Sequence, residues 1–354
     1  LVLAALPFVA MSPGASAQTA PRPNSGQLLQ QVPSPAPPPS LNRPPLRIDQ
    51  AQPAPATDVT PFAVRRIELE GNTAFDTATL HALVADGEHG QRTLAQLDAL
   101  AQRLTDWYRA HGYPLARAVL PAQTIVDGTV RIRILEARYD TIRLDNRSRV
   151  DDEVLRATLA PLAPGALITQ AALDRSLLLL DELPGVRAQA TLAPGAMVGT
   201  SRLSVQAEPA PMLAGHVSAD SAGNRYTGRV RLGAHLDINS PLHRGDRLSL
   251  SVLSSGHGLD HGRLAYQVVL NGQGTQLGAA WSALRYRLGG PLEALDAHGT
   301  AHVGSVWLSH PFVRRADMRV DGRLQYDRKR PRAALDTANL HTDRHTGSWT
   351  VGLA

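Results

Sequence analysis

The sequence predicts an α+β region followed by an all-β region: two tandem β-α-α-β-β modules, then a long run of antiparallel strands. Three observations carry this. Between Pro61 and Pro209 a strand–helix–helix–strand–strand order occurs twice. From Met212 onward, strands of about ten residues alternate between apolar and polar side chains, the period-2 signature of a sheet with two different faces. And 354 residues contain no cysteine and no apolar run of the roughly 18 residues that a spanning helix needs.

Composition narrows the classes further. Without cysteine there is no disulfide framework, thiolate zinc site or thiol nucleophile. A hydrophobic content of 43% is too high for a wholly disordered chain. The net charge is +5, and every basic side chain except Lys329 is arginine, but the arginines are scattered along the chain. No nucleic-acid stripe results.

The elements follow in order. Leu1–Met11 is an apolar stretch of signal-peptide length, and Ala15-Ser16-Ala17 supplies a small-x-small cleavage pattern, so residues 1–17 read as an export signal whose start is incomplete. Residues 18–60 hold 11 of the 26 prolines, which disfavours helix and ladder alike and reads as an extended linker. Gln27–Gln31 could form a short helix within it.

Residues 61–137 form the first module. Val64–Leu69 alternates and stops at Gly71-Asn72. Asp76 is placed to cap a helix carrying Leu80 and Leu83. Thr93 with Gln96 makes a capping box for a second helix, whose Leu97, Leu100, Leu104 and Tyr108 share one face until Gly112. Short strand Leu115–Leu120 and alternating strand Thr129–Glu136 complete the unit. Residues 138–209 repeat it: strand Tyr139–Leu144, a helix capped by Asp151 or Asp152, a second capped by Thr169, then Val186–Leu192 and Thr200–Glu208. In a three-stranded sheet covered by helices on one face, a hairpin strand can be an edge. Edges take up foreign extended chains through main-chain hydrogen bonds. Ala116, Arg117, Ala118, Val119 and Leu120 are the candidate partner-binding edge, and proline at Val119 the substitution that would disturb it.

Residues 210–354 hold about eight strands. Arg229–Ile238 sets Val230, Leu232, Leu236 and Ile238 against Arg229, Arg231, His235 and Asp237. Asp317–Asp327 sets Val320 and Leu324 against Arg319, Asp321 and Arg323. Such strands build either a soluble sandwich or a transmembrane barrel. The register of arginine and aspartate on one face favours a watery lumen, so Arg229, Arg231, His235, Asp237, Arg319, Asp321 and Arg323 are the lumen-facing candidates. Gln276–Leu288 changes phase near Ala283-Leu284, where a bulge is expected. Thr300–His310 alternates poorly.

No chemistry announces itself. His257/His261 and His341/His345 have i,i+4 spacing but fall in Gly- or Thr-rich stretches read as loops. Gly272-Gln273-Gly274 reads as a hairpin turn, and neither a phosphate loop nor a nucleophile elbow is found. The chain is expected to be no enzyme and to need no cofactor or metal.

Particular stretches carry a resemblance. They are Ile67-Glu68-Leu69-Glu70-Gly71-Asn72-Thr73, Tyr108–Pro114 (YRAHGYP), Leu183-Pro184-Gly185-Val186, Asp220–Gly228 (DSAGNRYTG), Asn239–Ser251 (NSPLHRGDRLSLS) and Ser309–Tyr326. In this order, after a Pro-rich linker, they resemble the outer-membrane transporters of two-partner secretion, the haemolysin secretion/activation family, whose β-α-α-β-β units are called POTRA domains. The resemblance covers Pro61 to Ala354. It implies an outer-membrane pore with POTRA domains in the periplasm, which capture an unfolded exoprotein (an adhesin, cytolysin or contact-dependent toxin) and pass it to the cell surface. It implies lipid around the barrel and no nucleic acid. The family's barrel has sixteen strands, so the all-β region is read as its N-terminal half, with gating motifs expected beyond Ala354. A barrel-assembly insertase and a soluble periplasmic β-sandwich binding protein are the alternatives.

Overall fold

A computed structural model describes residues 46–48, 60–335 and 340–354. The expected signal peptide and the Gln27–Gln31 helix lie outside these residues. The first described element, β1 (Leu46–Ile48), corrects the reading of the Pro-rich segment as free of any ladder, because it pairs with a strand of the second module.

The first module contains β2 (Phe62–Val64), β3 (Arg66–Glu70), α1 (Thr77–Ala82), β4 (Gly90–Arg92), α2 (Leu94–Ala110), β5 (Arg117–Val119) and β6 (Thr129–Leu135). Its main sheet has the order β3-β6-β5, with β3 parallel and β5 antiparallel to the central β6. The helix starts are local chemistry. Asp76 accepts from the Thr79 N–H at 2.9 Å, and Thr93 and Gln96 form a reciprocal box at 3.3 and 3.0 Å. α2 buries Leu97, Leu100, Ala101, Leu104 and Tyr108 against Ile67, Val130, Ile132 and Ile134. Each fully buried aliphatic side chain contributes roughly 1.5–3 kcal/mol.

The second module repeats the plan with β7 (Arg138–Asn146), α3 (Asp152–Leu159), α4 (Gln170–Asp181), β8 (Val186–Pro194) and β9 (Thr200–Pro209). Asp151 is the N-cap residue of α3, but its side chain makes no capping bond; Thr169 caps α4 through the Ala172 N–H at 3.3 Å. The order is β1-β8-β9-β7, with β7 parallel to β9, as β3 is to β6. Leu155, Leu173, Leu177 and Leu180 pack on Ala188, Leu192, Leu203 and Val205. Leu115, from the first module between α2 and β5, is buried in this second core.

The remaining strands form one antiparallel meander: β10 (Leu213–Asp220), β11 (Arg231–Asn239), β12 (Arg247–Ser254), β13 (Leu259–Val269), β14 (Gln276–Arg287), β15 (Ala297–Arg314) and β16 (Arg319–Leu335), then β17 (Leu340–Asp343) and β18 (Thr346–Leu353). β17 and β18 both pair with β16, at successive stretches, so nine segments fill eight places in the sheet. Three expectations need correction. β14 pairs in unbroken register on both sides, so its change of phase is no bulge; the bulge lies in β15, between Pro311 and Val313. β11 begins at Arg231, leaving Arg229 in the preceding loop. His261 is in β13 and His341 in β17, not in loops. Among the described residues no helix is long and apolar enough to cross a membrane.

Candidate functional site

Directly paired residues of a sheet share a face, so the register sorts the side chains. One row reads Leu236, Leu250, Leu264 and Trp281; the next reads His235, Ser251, Arg263 and Ser282 and lies on the opposite face. The first face is an apolar surface left open: Val217, Leu232, Leu236, Leu250, Val252, Leu264, Leu277, Trp281, Leu308, Leu324 and Val351 are all exposed on it. A monomer in water does not expose a continuous surface of this kind.

The second face is wet and ordered. His235 bonds Ser251 Oγ at 2.8 Å and Asp237 at 3.2 Å. Arg319 donates to Asp321 at 2.7 Å, Arg323 to Gln325 at 2.8 Å, and Gln325 to Asp327 at 2.8 Å. Arg231 pairs with Asp220 at 2.8 Å. Of the seven lumen candidates, the six on strands fall on this face; Arg229, in its loop, does not join them. The face is not polar throughout. At its far end Leu253, Leu259, Leu284, Tyr286 and Ala301 cluster on it under Tyr226, and this inward cluster is the reason β14 changes phase. Trp307 also turns in, over Gly278, where any Cβ would strike the indole, and the Arg323 guanidinium lies 4.8 Å from its ring centre. That inward tryptophan accounts for the poor alternation of β15.

The second module is fastened to the near end of this sheet. Arg175 of α4 donates to the carbonyls of Pro311, Phe312 and Gln273 at 2.9, 3.1 and 3.3 Å. Arg314, 4% exposed, donates to Glu182 at 2.9 and 3.1 Å and to Asp321 at 2.5 Å, so the line of charges continues from the wet face into the module. Burial pushes the Glu182 carboxyl up, and Arg314 pulls it only part of the way back. The turn between β11 and β12 docks beside them. Fully buried Asp246 accepts the N–H groups of Leu242 and Arg244 and the Tyr266 hydroxyl, Ser240 donates to the Pro184 carbonyl, and the Asp151 N–H donates to the His243 carbonyl at 2.8 Å. Arg314 escaped sequence reasoning because Glu182 is 132 positions away, and Asp246 because nothing in its local sequence marks a turn that will be buried against another module.

The edge predicted at residues 116–120 is largely closed. Ala116 is a core residue, and its N–H donates to the Tyr113 carbonyl at 3.2 Å. The outward N–H of Ala118 donates to Thr105 Oγ1 on α2 at 3.0 Å. Successive residues alternate in direction, so Arg117 and Val119 turn toward β6. A proline at Val119 would therefore strike the module's own ladder rather than its outer edge.

The first module also explains one of the quoted motifs. Gly71 has φ +87°, and a Cβ there would meet the Ile134 carbonyl. Asn72 and Thr73 follow, and the N–H groups of Thr73 and Ala74 donate to Glu136 Oε1 at 2.7 and 2.8 Å, with Tyr108 OH at 2.8 Å.

Comparison with known proteins places these parts. Residues 62–137 match the POTRA domain, ShlB-type, and residues 199–354 match the haemolysin secretion/activation protein ShlB/FhaC/HecB. The chain is 31% identical over 263 residues to the heme/hemopexin transporter protein HuxB of Haemophilus influenzae, covering 74% of this chain and 46% of HuxB. It is 24% identical over 213 residues to the outer membrane transporter CdiB of Dickeya dadantii, covering 60% of this chain and 36% of CdiB. It thus spans less than half the length of these curated relatives. Among solved structures, CdiB from Escherichia coli superposes with a TM-score of 0.67 at 23% identity, covering 86% of this chain and 57% of that one. CdiB from Acinetobacter baumannii gives 0.60 at 19%, covering 93% and 64%. These two likenesses establish the fold. With a ShlB-type POTRA domain and the haemolysin secretion/activation region in the family's order, the chain belongs to the two-partner secretion transporters of the outer membrane.

Proposed function

We propose that this chain supplies the periplasmic capture modules and the first barrel strands of a pore that exports a large exoprotein in unfolded form. The observation that carries the reading is the pairing of an exposed apolar sheet face with a charged inner face to which the second POTRA module is directly bonded through Arg175 and Arg314. Lipid covers the first face. An extended polypeptide leaving the modules meets the second, where alternating positive and negative side chains offer many weak contacts and no deep apolar trap until the Leu284–Tyr286 cluster. No catalytic step and no cofactor is part of the proposal. Among cargo classes, the likeness to a heme/hemopexin transporter favours an exoprotein of haem or hemopexin acquisition over an adhesin, cytolysin or contact-dependent toxin.

The test is secretion. The full-length protein is produced with the exoprotein encoded beside it, and the tagged exoprotein is followed into the medium. Export that depends on the transporter is the expected result. A retained exoprotein together with failed insertion of unrelated barrels on deletion would instead mark an insertase. Recovery of the full-length protein in the soluble periplasm would mark the β-sandwich alternative.

A further inference from the structure

We propose that the apolar face of the sheet carries, at its far end, a site for one phosphate-bearing glycolipid of the outer leaflet, with an acyl chain in the hollow beside Gly262 and a phosphate on Arg285, Arg330 and Arg332. The inference rests on the reading above that lipid covers this face. It adds which lipid is held, and where.

The far end is the one away from the second module, where β12 turns into β13. Toward it along β16, the alternate residues on the apolar face are Leu324, Tyr326, Arg328, Arg330 and Arg332. Along β14 they are Leu277, Ala279, Trp281, Ala283 and Arg285. Both strands thus begin aliphatic, pass an aromatic ring and end cationic. Trp349 is the register partner of Tyr326, and their rings lie 4.9 Å apart. Tryptophan and tyrosine mark the depth at which hydrocarbon gives way to headgroups. The arginines begin at that depth and continue beyond it, where charge on this face is tolerated, and all four are exposed. Two carboxylates share the region. Asp343 pairs with Arg332 at 3.1 Å, and Asp260, opposite Arg285 in register, accepts from Ser254 Oγ at 2.7 Å. Arg328 lies between Gly304 and Gly347, and Arg330 lies opposite His302, so neither meets a carboxylate across the sheet. The balance is positive and calls for an anion.

Beside this rim the face is hollow. A cavity of about 570 Å³ crosses β11 to β14, bordered by Val217, Leu232, Ala234, Val252, Gly262 and Ala283. Ala234, Val252, Gly262 and Ala283 are successive partners in one row, so small side chains form its floor. A Cβ on Gly262 would meet nothing within 4 Å. The same row runs on into His302 and Arg330, and the next row outward joins Asp260, Arg285, Thr300 and Arg332. Arg285, Thr300 and His302 border the cavity themselves. Hollow and rim are therefore one continuous site, apolar at one end and cationic at the other. That chemistry fits an amphiphile with an acyl chain and a phosphate. Arginine forks take phosphate oxygens in pairs, and Thr300 adds a hydroxyl donor. Position selects among such lipids. The periplasmic modules hold the near end of the sheet, so the far end lies in the outer leaflet, where the phosphate-bearing lipid is a glycolipid. Trp281 stacks on His302 with ring centres 5.8 Å apart and so reports on this site.

The test is lipid titration of the full-length protein, stripped of bound lipid in detergent and keeping Trp281 as its only tryptophan. Trp281 emission gives the affinity, and native mass spectrometry counts the lipid retained. Diphosphorylated lipid A is expected to bind as a single molecule. Dephosphorylated lipid A and phosphatidylglycerol should bind at least tenfold more weakly. Replacing Arg285, Arg330 and Arg332 together by glutamine should weaken diphosphorylated lipid A at least tenfold and leave the dephosphorylated form unchanged. Gly262→Leu fills the hollow with the arginines intact and should weaken both forms. The three arginines are exposed, so their variant keeps the test decisive even if Gly262→Leu fails to fold. Phosphatidylglycerol binding as tightly as lipid A, or either folded variant binding lipid A like the parent, overturns the proposal. Displacement of lipid A by millimolar inorganic phosphate would mark a free-phosphate site and overturns it too. If the full-length protein stays dispersed without detergent and retains no lipid at all, the lipid-facing reading fails and this inference with it. If every lipid is retained alike, only the glycolipid site falls.

Discussion

At the scale of single residues, Glu136 decides how the first module is closed. It is 7% exposed, and three hydrogen bonds from Thr73, Ala74 and Tyr108, with the Thr73 hydroxyl, converge on it. Desolvation alone would raise its pKa, but these donors together outweigh it and hold the carboxyl below the usual range. The sign follows. A depressed folded pKa adds stability that is complete above the unfolded value, about 4.3, and is lost as the pH falls through the lower, folded one. Glu136→Gln is expected to cost about 1–3 kcal/mol by leaving buried donors poorly matched. A pH series of melting temperatures should show the variant's deficit vanishing in acid. A constant deficit down to pH 3 would mean that the carboxylate charge is not what holds the loop. The helix caps at Asp76, Thr93 and Thr169 were legible in the sequence because a cap and its target lie three residues apart. Glu136 was read only as the end of a strand, because Thr73 is 63 positions away.

At the scale of elements, periodicity revealed the strands and helices of both modules, since each buries one face. It could not reveal β1, three residues in a proline-rich segment whose partner lies far along the chain. It also missed the seam between α4 and the sheet, where the contacts are turns and single arginines. Arg314 is the test of that seam. It is nearly buried between Glu182 and Asp321, and removing one member of a buried pair costs about 3–5 kcal/mol, because the other charge stays behind. Arg314→Met is therefore expected to loosen the second module and speed proteolytic cleavage in the Pro209–Met212 connection. Adding Glu182→Leu should recover much of the loss: no unpaired carboxylate then remains at Glu182, and Asp321 keeps Arg319 at 2.7 Å. Equal cleavage of the single and double variants would show that the ionic contact does not hold the module.

At the scale of the whole molecule, the question is what medium each face of the sheet meets. Alternation in the sequence separated the faces correctly over most strands, and it failed where apolar side chains turn inward, at Leu284, Tyr286 and Trp307. Alternation alone cannot tell lipid from a second sheet, because both bury an apolar face. The two tryptophans of adjacent strands can. Trp281 on β14 is 54% exposed on the apolar face, whereas Trp307 on β15 is 6% exposed on the charged one. In a barrel, lipid reaches the first and not the second. Full-length variants keeping only Trp281 or only Trp307, each reconstituted in vesicles of lipids brominated on the acyl chains, should differ: strong quenching for Trp281 and little for Trp307. Acrylamide in the water phase should quench neither strongly, since Trp281 is screened by lipid and Trp307 by its own strand neighbours and Arg323. Were the sheet half of a soluble sandwich, brominated lipid would leave both emissions unchanged, and Trp281, covered by a partner sheet, would emit alike with and without vesicles.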